Sequence, residues 1–284
     1  MLTFTALCEA LRAAGISAGD TVHVQSDLRR IGAVEAEMTA EAVSRFYFDA
    51  FMEVLGPEGT LTVSTAFEDY GRFGVPYDRE NSPSRGGIFS EYVRTRPGAV
   101  RSMHPIASVS GVGPLARDIC GWPHYDAYGY DTPWGQIHRR NVKVMTLGLG
   151  ANLGGLSLVH YVERLFGVPY QYTKIFTHPV IADGVPQPGP FTMSVRYLDY
   201  GIVDTSVRIK QRMVAEGTAV AMPLGRGAFW IARAQDLVDT TIEALRTDRW
   251  VLLEQPPKFR PGEMPMDGTT GPMRVLYDQV EGEA

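Results

Sequence analysis

The pairing of His160 with Glu163 is the part of this sequence best suited to chemistry. The two residues are three apart within residues 156–166 (LSLVHYVERLF), whose apolar spacing predicts a helix. Residues i and i+3 are neighbours on a helix, so the imidazole and the carboxylate would lie side by side. The carboxylate would fix the ring tautomer and raise its basicity, which suits a general base near neutral pH. A solvated His–Glu pair on a surface helix is the alternative, and spacing alone favours it.

A glycine-rich segment, residues 148–155 (GLGANLGG), lies between a predicted strand and this helix. Backbone N–H groups exposed at such a junction can hold a phosphate or another anion. The pattern is not the G-x-G-x-x-G fingerprint, because the third glycine comes one residue late. A tight turn is therefore favoured over a nicotinamide-binding loop. Because this turn lies directly before His160, it adds support to the catalytic interpretation of the His–Glu pair relative to the solvated one.

A third candidate lies in residues 101–109 (RSMHPIASV). The backbone of His104 is restricted to extended conformations by the proline that follows it, so its ring would be presented rigidly to a pocket. A hydrogen-bonded loop histidine is the alternative. Ser108 or Ser110 would suit a Ser-His-Asp triad, but the G-x-S-x-G elbow of such enzymes is missing from the sequence. The histidine spacings match no compact ligand motif, so no metal is expected.

The elements that must position these side chains alternate between helices and strands. Helices are predicted at residues 4–14, 39–55, 88–96, 156–166 and 235–245, and strands at Thr21–Ser26, Thr60–Ser64, 142–149 and, more weakly, 218–223. The polar residues 70–87 contain many glycines and prolines and are expected to form a loop. Strands separated by helices predict an α/β fold with a layered sheet flanked by helices.

Composition sets the class of protein. The 284 residues are 44% hydrophobic and 21% charged, with a net charge of −5, which is ordinary for a globular protein, and the length allows one large domain or two small ones. We expect one domain over 1–284, with a Pro- and Gly-rich extension from about residue 256. Mild acidity without basic runs argues against nucleic acid as a partner. Cys8 and Cys120 form no C-x-x-C motif, and no apolar run is long enough to span a membrane. We therefore expect a cytoplasmic protein with free thiols, and a homodimer remains open.

Six segments follow one another in a recognisable order. They are residues 11–32 (LRAAGISAGDTVHVQSDLRRIG), 56–67 (GPEGTLTVSTAF), 78–109 (DRENSPSRGGIFSEYVRTRPGAVRSMHPIASV), 131–135 (DTPWG), 147–150 (LGLG) with 158–163 (LVHYVE), and 232–245 (ARAQDLVDTTIEAL). Together they resemble the aminoglycoside 3-N-acetyltransferase family, also called the antibiotic N-acetyltransferases. The third segment is the most specific, because it carries the family's SPSR-x-G and R-S-x-HP-x-x-S-V patterns.

This resemblance implies the family's fold and transfer of an acetyl group from acetyl-CoA to a small-molecule amine, as in antibiotic resistance. His160 and Glu163 match the catalytic pair, which agrees with the chemistry expected from the helix. The amine must lose a proton to attack a thioester, and a neutral imidazole within hydrogen-bond reach can take it. Glu163 would orient the ring and stabilise the imidazolium, so direct transfer through a ternary complex is expected.

The same matching implies five cofactor-binding residues. Ser26 and Arg29 fall where the family contacts the CoA phosphates and the pantetheine arm. Arg85, His104 and Ser108 fall on motif positions that shape the cofactor and acyl pocket. For Arg85 and His104, holding loops together is an equal alternative.

Departures from the family pattern concern the acceptor. The family's His-Ser-Ser-Leu appears as residues 25–28 (QSDL), and Ala107 replaces the second histidine of the HP-x-H-S variant. A related acyl-CoA N-acyltransferase of natural-product or surface-sugar biosynthesis is therefore an alternative, as is a non-catalytic CoA- or sugar-binding protein of the same fold. Four loop acids would suit a polycationic acceptor or would simply be solvated: Asp69, Asp78, Asp126 and Asp131.

Overall fold

The computed structural model describes residues 1–197 and 200–259. The helices are α1 Phe4–Ala13, α2 Ala40–Leu55, α3 Asp69–Phe73, α4 Ile88–Arg94, α5 Ala116–Cys120, α6 Pro133–Arg139, α7 Leu158–Phe166, α8 Val207–Ala215 and α9 Ala234–Thr247. The strands are β1 Thr21–Ser26, β2 Thr60–Ser64, β3 Tyr77–Asp78, β4 Val100–Arg101, β5 Val109–Val112, β6 Lys143–Leu147, β7 Gln171–Phe176, β8 Val180–Ala182, β9 Val185–Pro186, β10 Phe191–Arg196, β11 Ala219–Leu224 and β12 Gly227–Arg233. A short 3-10 helix, Leu28–Arg30, follows β1.

The central sheet has seven strands in the order β11-β12-β6-β1-β2-β5-β4. Strand β1 runs parallel to both of its neighbours, β2 and β6, whereas the outer pairs are antiparallel. Two smaller sheets, β10-β7 and β3-β8-β9, complete the strand pairing. The predicted α/β fold with a layered sheet flanked by helices is confirmed.

Adjacent residues of the central strands face opposite helical layers, as the two-residue period of a strand requires. Val144 and Met145 are neighbours in β6 and both are fully buried. Val144 packs in the cluster that contains Leu158 of α7, and Met145 packs in the cluster that contains Phe51 of α2. The sheet is therefore covered on both faces, and helix α7 lies on one of them.

Local signals placed several elements correctly. Helix α1 begins after Thr3, whose side chain accepts a hydrogen bond from the backbone N–H of Ala6 at 3.2 Å. It ends before Gly15, which has a positive φ of 83°. Strands β1 and β2 have the predicted bounds, Thr21–Ser26 and Thr60–Ser64.

The loop expected at residues 70–87 is wrong in part, because α3 and β3 lie within or against it. Tyr77 of β3 pairs in parallel with Val180 of β8 and is fully buried. It packs in a separate apolar cluster with Tyr70 and Phe191. Val180 and Phe191 come from distant parts of the chain, so the local polar composition of residues 70–87 does not report this burial.

The sequence also predicts a C-terminal extension and the lack of a membrane-spanning segment. The Pro- and Gly-rich extension predicted from about residue 256 lies outside the described residues from 260 onward. Within residues 1–197 and 200–259, no helix has both the length and the apolar character that crossing a bilayer requires.

Candidate active site

His160 and Glu163 lie together on α7, as their spacing predicts. The His160 Nδ1 atom is 2.7 Å from Oε2 of Glu163. The side chain of His160 is 29% exposed, whereas that of Glu163 is 1% exposed. Since Nδ1 is engaged by the carboxylate, Nε2 is the ring nitrogen left to take a proton from a substrate.

The start of α7 is tied to the end of β1. The Gln25 amide donates to Oγ of Ser157 at 2.6 Å, and its Oε1 atom accepts from the Ser157 backbone N–H at 2.7 Å. Gln25 occupies the first position of the segment in which the sequence departs from the family pattern. Glutamine at this position therefore forms two hydrogen bonds with Ser157, and these fix the start of the helix that carries His160.

Two residues beyond the helix complete the environment of Glu163. Helix α7 ends at Phe166 and is capped by Gly167, whose φ of 75° turns the chain back toward the helix. This turn allows the Tyr170 hydroxyl to donate to Oε1 of Glu163 at 2.7 Å and Gln171 Nε2 to donate to Oε2 at 2.9 Å. Burial and the neighbouring Glu163 carboxylate raise the pKa of Tyr170, so its hydroxyl stays a donor. The carboxylate is thus held by three donors.

A cavity of about 240 Å³ lies beside His160. The aromatic ring of Tyr128 is 5.6 Å from the His160 ring between centroids. Trp134 is fixed by a 3.0 Å hydrogen bond from its Nε1 to the carbonyl of Ala107. The lining residues that are not charged include Ser64, Ala66, Ile106, Ala107, Ser108, Tyr128, Trp134, Ser157, Gln171, Met193, Ser194 and Val195. The cavity is thus shaped by the sheet, α7 and the β10-β7 pair.

A larger groove of about 1620 Å³ holds three of the predicted cofactor-binding residues, namely Ser26, Arg29 and Arg85. The cavity and the groove adjoin at two places. Ser26 of the groove follows Gln25, which bonds Ser157 of the cavity wall. The backbone N–H of Arg85 donates to the Ala66 carbonyl at 2.7 Å, and Ala66 lines the cavity.

The arginines of this groove differ in how they are paired. Arg29 is 92% exposed and its Nε lies 3.1 Å from Asp27, while Arg85 is held by Asp69. Arg226 also lines the groove, and no described carboxylate lies within ion-pair distance of it. It stands at the tip of the β11-β12 hairpin. Sequence reasoning missed Arg226, because only the strand order brings that tip beside the end of β1.

His104 and Ser108 do not line the groove, and their role in shaping the cofactor and acyl pocket stays a prediction. His104 is fully buried, and its Nε2 lies 3.1 Å from the Thr192 carbonyl while its Nδ1 accepts from Ala107 N–H at 3.2 Å. Burial lowers its pKa to about 3, so the ring is neutral and the loop-holding alternative is favoured. Ser108 lines the cavity, but its Oγ is occupied by Arg101 at 3.1 Å.

Comparison with known proteins identifies the class. A sequence profile described as aminoglycoside 3-N-acetyltransferase matches residues 23–246. The chain is 30% identical over 206 residues to aminoglycoside N(3)-acetyltransferase VII of Streptomyces paromomycinus. The aligned residues cover 64% of this chain and 67% of that protein. The protein is therefore an enzyme of the CoA-dependent N-acetyltransferase class. It belongs to the aminoglycoside 3-N-acetyltransferase family.

Solved structures share the fold. AAC-IIIb bound to CoASH superposes with a TM-score of 0.73 at 23% identity, covering 90% of this chain and 99% of that one. AAC-VIa bound to sisomicin gives a TM-score of 0.73 at 22% identity, covering 86% and 97%. At these identities the comparison establishes the layered α/β architecture.

Proposed function

We propose that this enzyme transfers the acetyl group of acetyl-CoA directly to an amino group of a small, aminoglycoside-like amine, with His160 as the general base. The observation that supports this function is the hydrogen-bonded His160–Glu163 pair beside a cavity that adjoins a large, arginine-lined groove. The Streptomyces paromomycinus relative is named as an aminoglycoside N(3)-acetyltransferase. The two similar solved structures hold CoASH and sisomicin.

The cavity side performs the proton transfer. His160 Nε2 accepts the proton that the acceptor amine loses as it attacks the thioester carbonyl. The C–S bond then breaks, and the departing CoA sulfur takes the proton back from Nε2, so that the products are the N-acetylated amine and CoA. Glu163 keeps Nδ1 protonated and stabilises the imidazolium that forms. Tyr170 and Gln171 hold the carboxylate in place, so the pair needs no rearrangement during the reaction.

The groove side fits a phosphorylated acyl carrier. Arg29 and Arg226 offer guanidinium groups suited to phosphate oxygens, and Arg85 lines the same groove with Gly86 and Gly87. Ser26 lies where the groove meets the β1 end that anchors α7. The donor would supply the acetyl thioester, while these residues bind and orient it.

Direct transfer is supported by the state of the thiols. Cys8 and Cys120 are buried, and neither lines the cavity or the groove. Burial raises the pKa of both thiols, which leaves little thiolate to accept an acyl group. A burst of CoA release without an acceptor would contradict this part of the proposal.

Calorimetric titration of the purified protein with acetyl-CoA tests the proposal without knowledge of the acceptor. Saturable binding of micromolar strength is expected. Binding of another acyl-CoA, with no detectable binding of acetyl-CoA at millimolar concentration, would show that acetyl-CoA is not the donor. No detectable binding of any CoA species would overturn the proposed function. Release of CoA from acetyl-CoA on addition of an amine then measures the transfer itself.

A further inference from the structure

We propose that the hydroxyl oxygen of Ser64 accepts a hydrogen bond from the reacting amino group of the acceptor, and so holds that group beside His160. This inference rests on the proposed function and deepens it by adding a residue that contacts the substrate. It comes from the hydrogen-bonded pair of Ser64 and His23, to which the proton transfer assigns no role.

Ser64 lies at the end of β2, close to the start of the helix that carries His160. Strands β1 and β2 are parallel and in register, so Gln25 and Ser64 lie side by side with their side chains on one face of the sheet. Gln25 is bonded to Ser157, and the backbone N–H of His160 donates to the Ser157 carbonyl at 3.1 Å. Ser64, Ser157 and His160 line the same cavity of about 240 Å³. An amine that reaches His160 is therefore also close to Ser64.

The ring of His23 is held between two hydroxyl groups, which define its tautomer. His23 is fully buried, with Nδ1 3.1 Å from Oγ1 of Thr62 and Nε2 3.3 Å from Oγ of Ser64. The Thr62 hydroxyl donates to the Val22 carbonyl at 3.3 Å, so the Thr62 oxygen is the acceptor for a hydrogen on Nδ1. In a neutral ring with its hydrogen on Nδ1, Nε2 is an acceptor, and the Ser64 hydroxyl donates to it.

The Ser64 hydroxyl therefore offers lone pairs, and not its hydrogen, to a ligand in the cavity. Among the described residues, His23 is the one hydrogen-bond partner of this hydroxyl. Burial lowers the pKa of His23 to about 3, so the ring stays neutral and is a weak base. Such a ring orients the Ser64 proton without removing it, which makes Ser64 a fixed acceptor and not a nucleophile.

A second acceptor at this place orients the attacking nitrogen. A neutral primary amine has two N–H bonds and one lone pair. When His160 Nε2 accepts from one N–H and Ser64 Oγ accepts from the other, the lone pair is directed at the thioester carbonyl. The proton on the His160 side is the one that is transferred, whereas Ser64 keeps its own proton and exchanges none. The contact with Ser64 strengthens as the nitrogen becomes more positive during attack.

Primary and secondary amines distinguish this contact from a structural role. Initial rates of CoA release are measured at saturating acetyl-CoA with methylamine, whose free base has two N–H bonds, and with dimethylamine, which has one. Ser64→Ala should lower kcat/KM for methylamine about tenfold and leave the value for dimethylamine within about twofold, because the single N–H of dimethylamine is used by His160. Equal losses with the two amines, or no loss with methylamine, would overturn the inference.

Sisomicin, the ligand of AAC-VIa, extends the measurement to a larger acceptor. Ser64→Ala should lower kcat/KM for sisomicin about tenfold and leave KM for acetyl-CoA unchanged. Ser44→Ala on α2 is the matched control, because Ser44 is buried and lines neither the cavity nor the groove. It should change neither constant, and an equal loss in this control would contradict the assignment.

A double-mutant cycle tests whether His23 acts through Ser64. In His23→Leu the Ser64 hydroxyl can turn its hydrogen toward the amine, so kcat/KM for methylamine should fall about three- to tenfold. Ser64→Ala combined with His23→Leu should lose no more than Ser64→Ala alone. A further loss in the double variant would contradict the orienting role of His23. Thermal melts show whether each variant is folded, and Ser64→Ala decides the inference by itself if His23→Leu does not fold.

The remaining outcomes separate this inference from the proposed function. Mass spectrometry of the parent protein mixed with acetyl-CoA alone should detect no acetylated protein, and an acetyl group on Ser64 would overturn the acceptor role. Acetylation of none of the three amines by parent protein that binds acetyl-CoA would overturn the inference and leave the donor assignment intact. A parent protein that binds no CoA species would overturn the proposed function and the inference with it.

Discussion

The cavity beside His160 and the groove beside Ser26 adjoin each other but are built in opposite ways. Behind the cavity, Glu163 is 1% exposed and accepts three hydrogen bonds, one of them from His160, which lines the cavity. In the groove, Arg29 is 92% exposed and its partner Asp27 lies on the surface turn that follows β1. One region is fixed by buried hydrogen bonds, and the other presents solvated charge.

Under the proposed function, this difference assigns a separate task to each region. Buried, preformed hydrogen bonds stabilise charge that develops during a reaction without reorganisation, so they act on kcat. Exposed guanidinium groups attract phosphate through charge that salt screens, so they act on the affinity for the donor. Substitutions in the cavity should therefore have large effects on turnover, and substitutions in the groove should have smaller, salt-dependent effects on binding.

His160→Ala is expected to have the largest effect. Loss of the general base should lower kcat by about 10²- to 10⁴-fold, because the two carboxylates that line the cavity, Glu68 and Asp204, are each paired with an arginine. Stopped-time assays of CoA release measure the loss, and calorimetry should show acetyl-CoA affinity unchanged. Turnover within a few-fold of the parent would refute the base assignment and with it the division of tasks.

Glu163→Gln should have the next largest effect, a loss of about 10- to 10²-fold in kcat. The neutral amide keeps the size of the side chain but no longer stabilises the imidazolium on His160. Tyr170→Phe serves as the matched control, since it removes one donor to the carboxylate and leaves its charge. If both variants lose the same amount, the contribution of Glu163 is positional and not electrostatic.

The elements predicted correctly were those with local signals. Caps and periodicity defined α1, and the i, i+3 spacing on one helix was enough to place His160 beside Glu163. Strand β12 was not predicted, although it lies between β11 and β6 in the central sheet. Its sequence at residues 227–233 (GAFWIAR) shows no alternation, because a strand buried on both faces lacks it.

The residues missed in the site reach it through the tertiary fold. Tyr170 and Gln171 contact Glu163 only because the chain reverses at Gly167. Arg226 reaches the groove only through the strand order of the sheet. A sequence pattern can report neighbours on one helix, but these contacts depend on how separate elements pack.

Arg226→Gln should affect the groove and leave the cavity unchanged. We expect an approximately tenfold weaker affinity for acetyl-CoA and a reduced salt dependence of binding, because the phosphate contact proposed for the Arg226 guanidinium would be lost. The matched control is Arg246→Gln on α9, which lines neither region. Calorimetry at two salt concentrations measures both quantities. A fall in kcat at saturating acetyl-CoA would show that Arg226 also affects turnover, which contradicts the assignment of the groove to donor binding alone.

His104→Gln should have the smallest effect at neutral pH, and it distinguishes a loop-holding role of His104 from a cofactor-binding one. Burial lowers the pKa of His104 to about 3 from its usual 6.5, so the unfolded chain binds more protons as the pH falls below 6.5. This linkage costs the folded protein about 1.4 kcal/mol at about pH 5.5, and glutamine abolishes it.

Thermal melts of the parent and the His104→Gln protein at about pH 7.5 and about pH 5.5 measure this linkage, with the exposed His178→Gln as control. The decrease in Tm between the two pH values should be smaller in His104→Gln than in the other two proteins. It should not vanish, because burial also lowers the pKa of His23 to about 3. Acetyl-CoA affinity at neutral pH should be unchanged. Weaker donor binding with an unaltered Tm difference would favour the cofactor-binding role of His104, because a ring that only holds the loop has no contact with the groove.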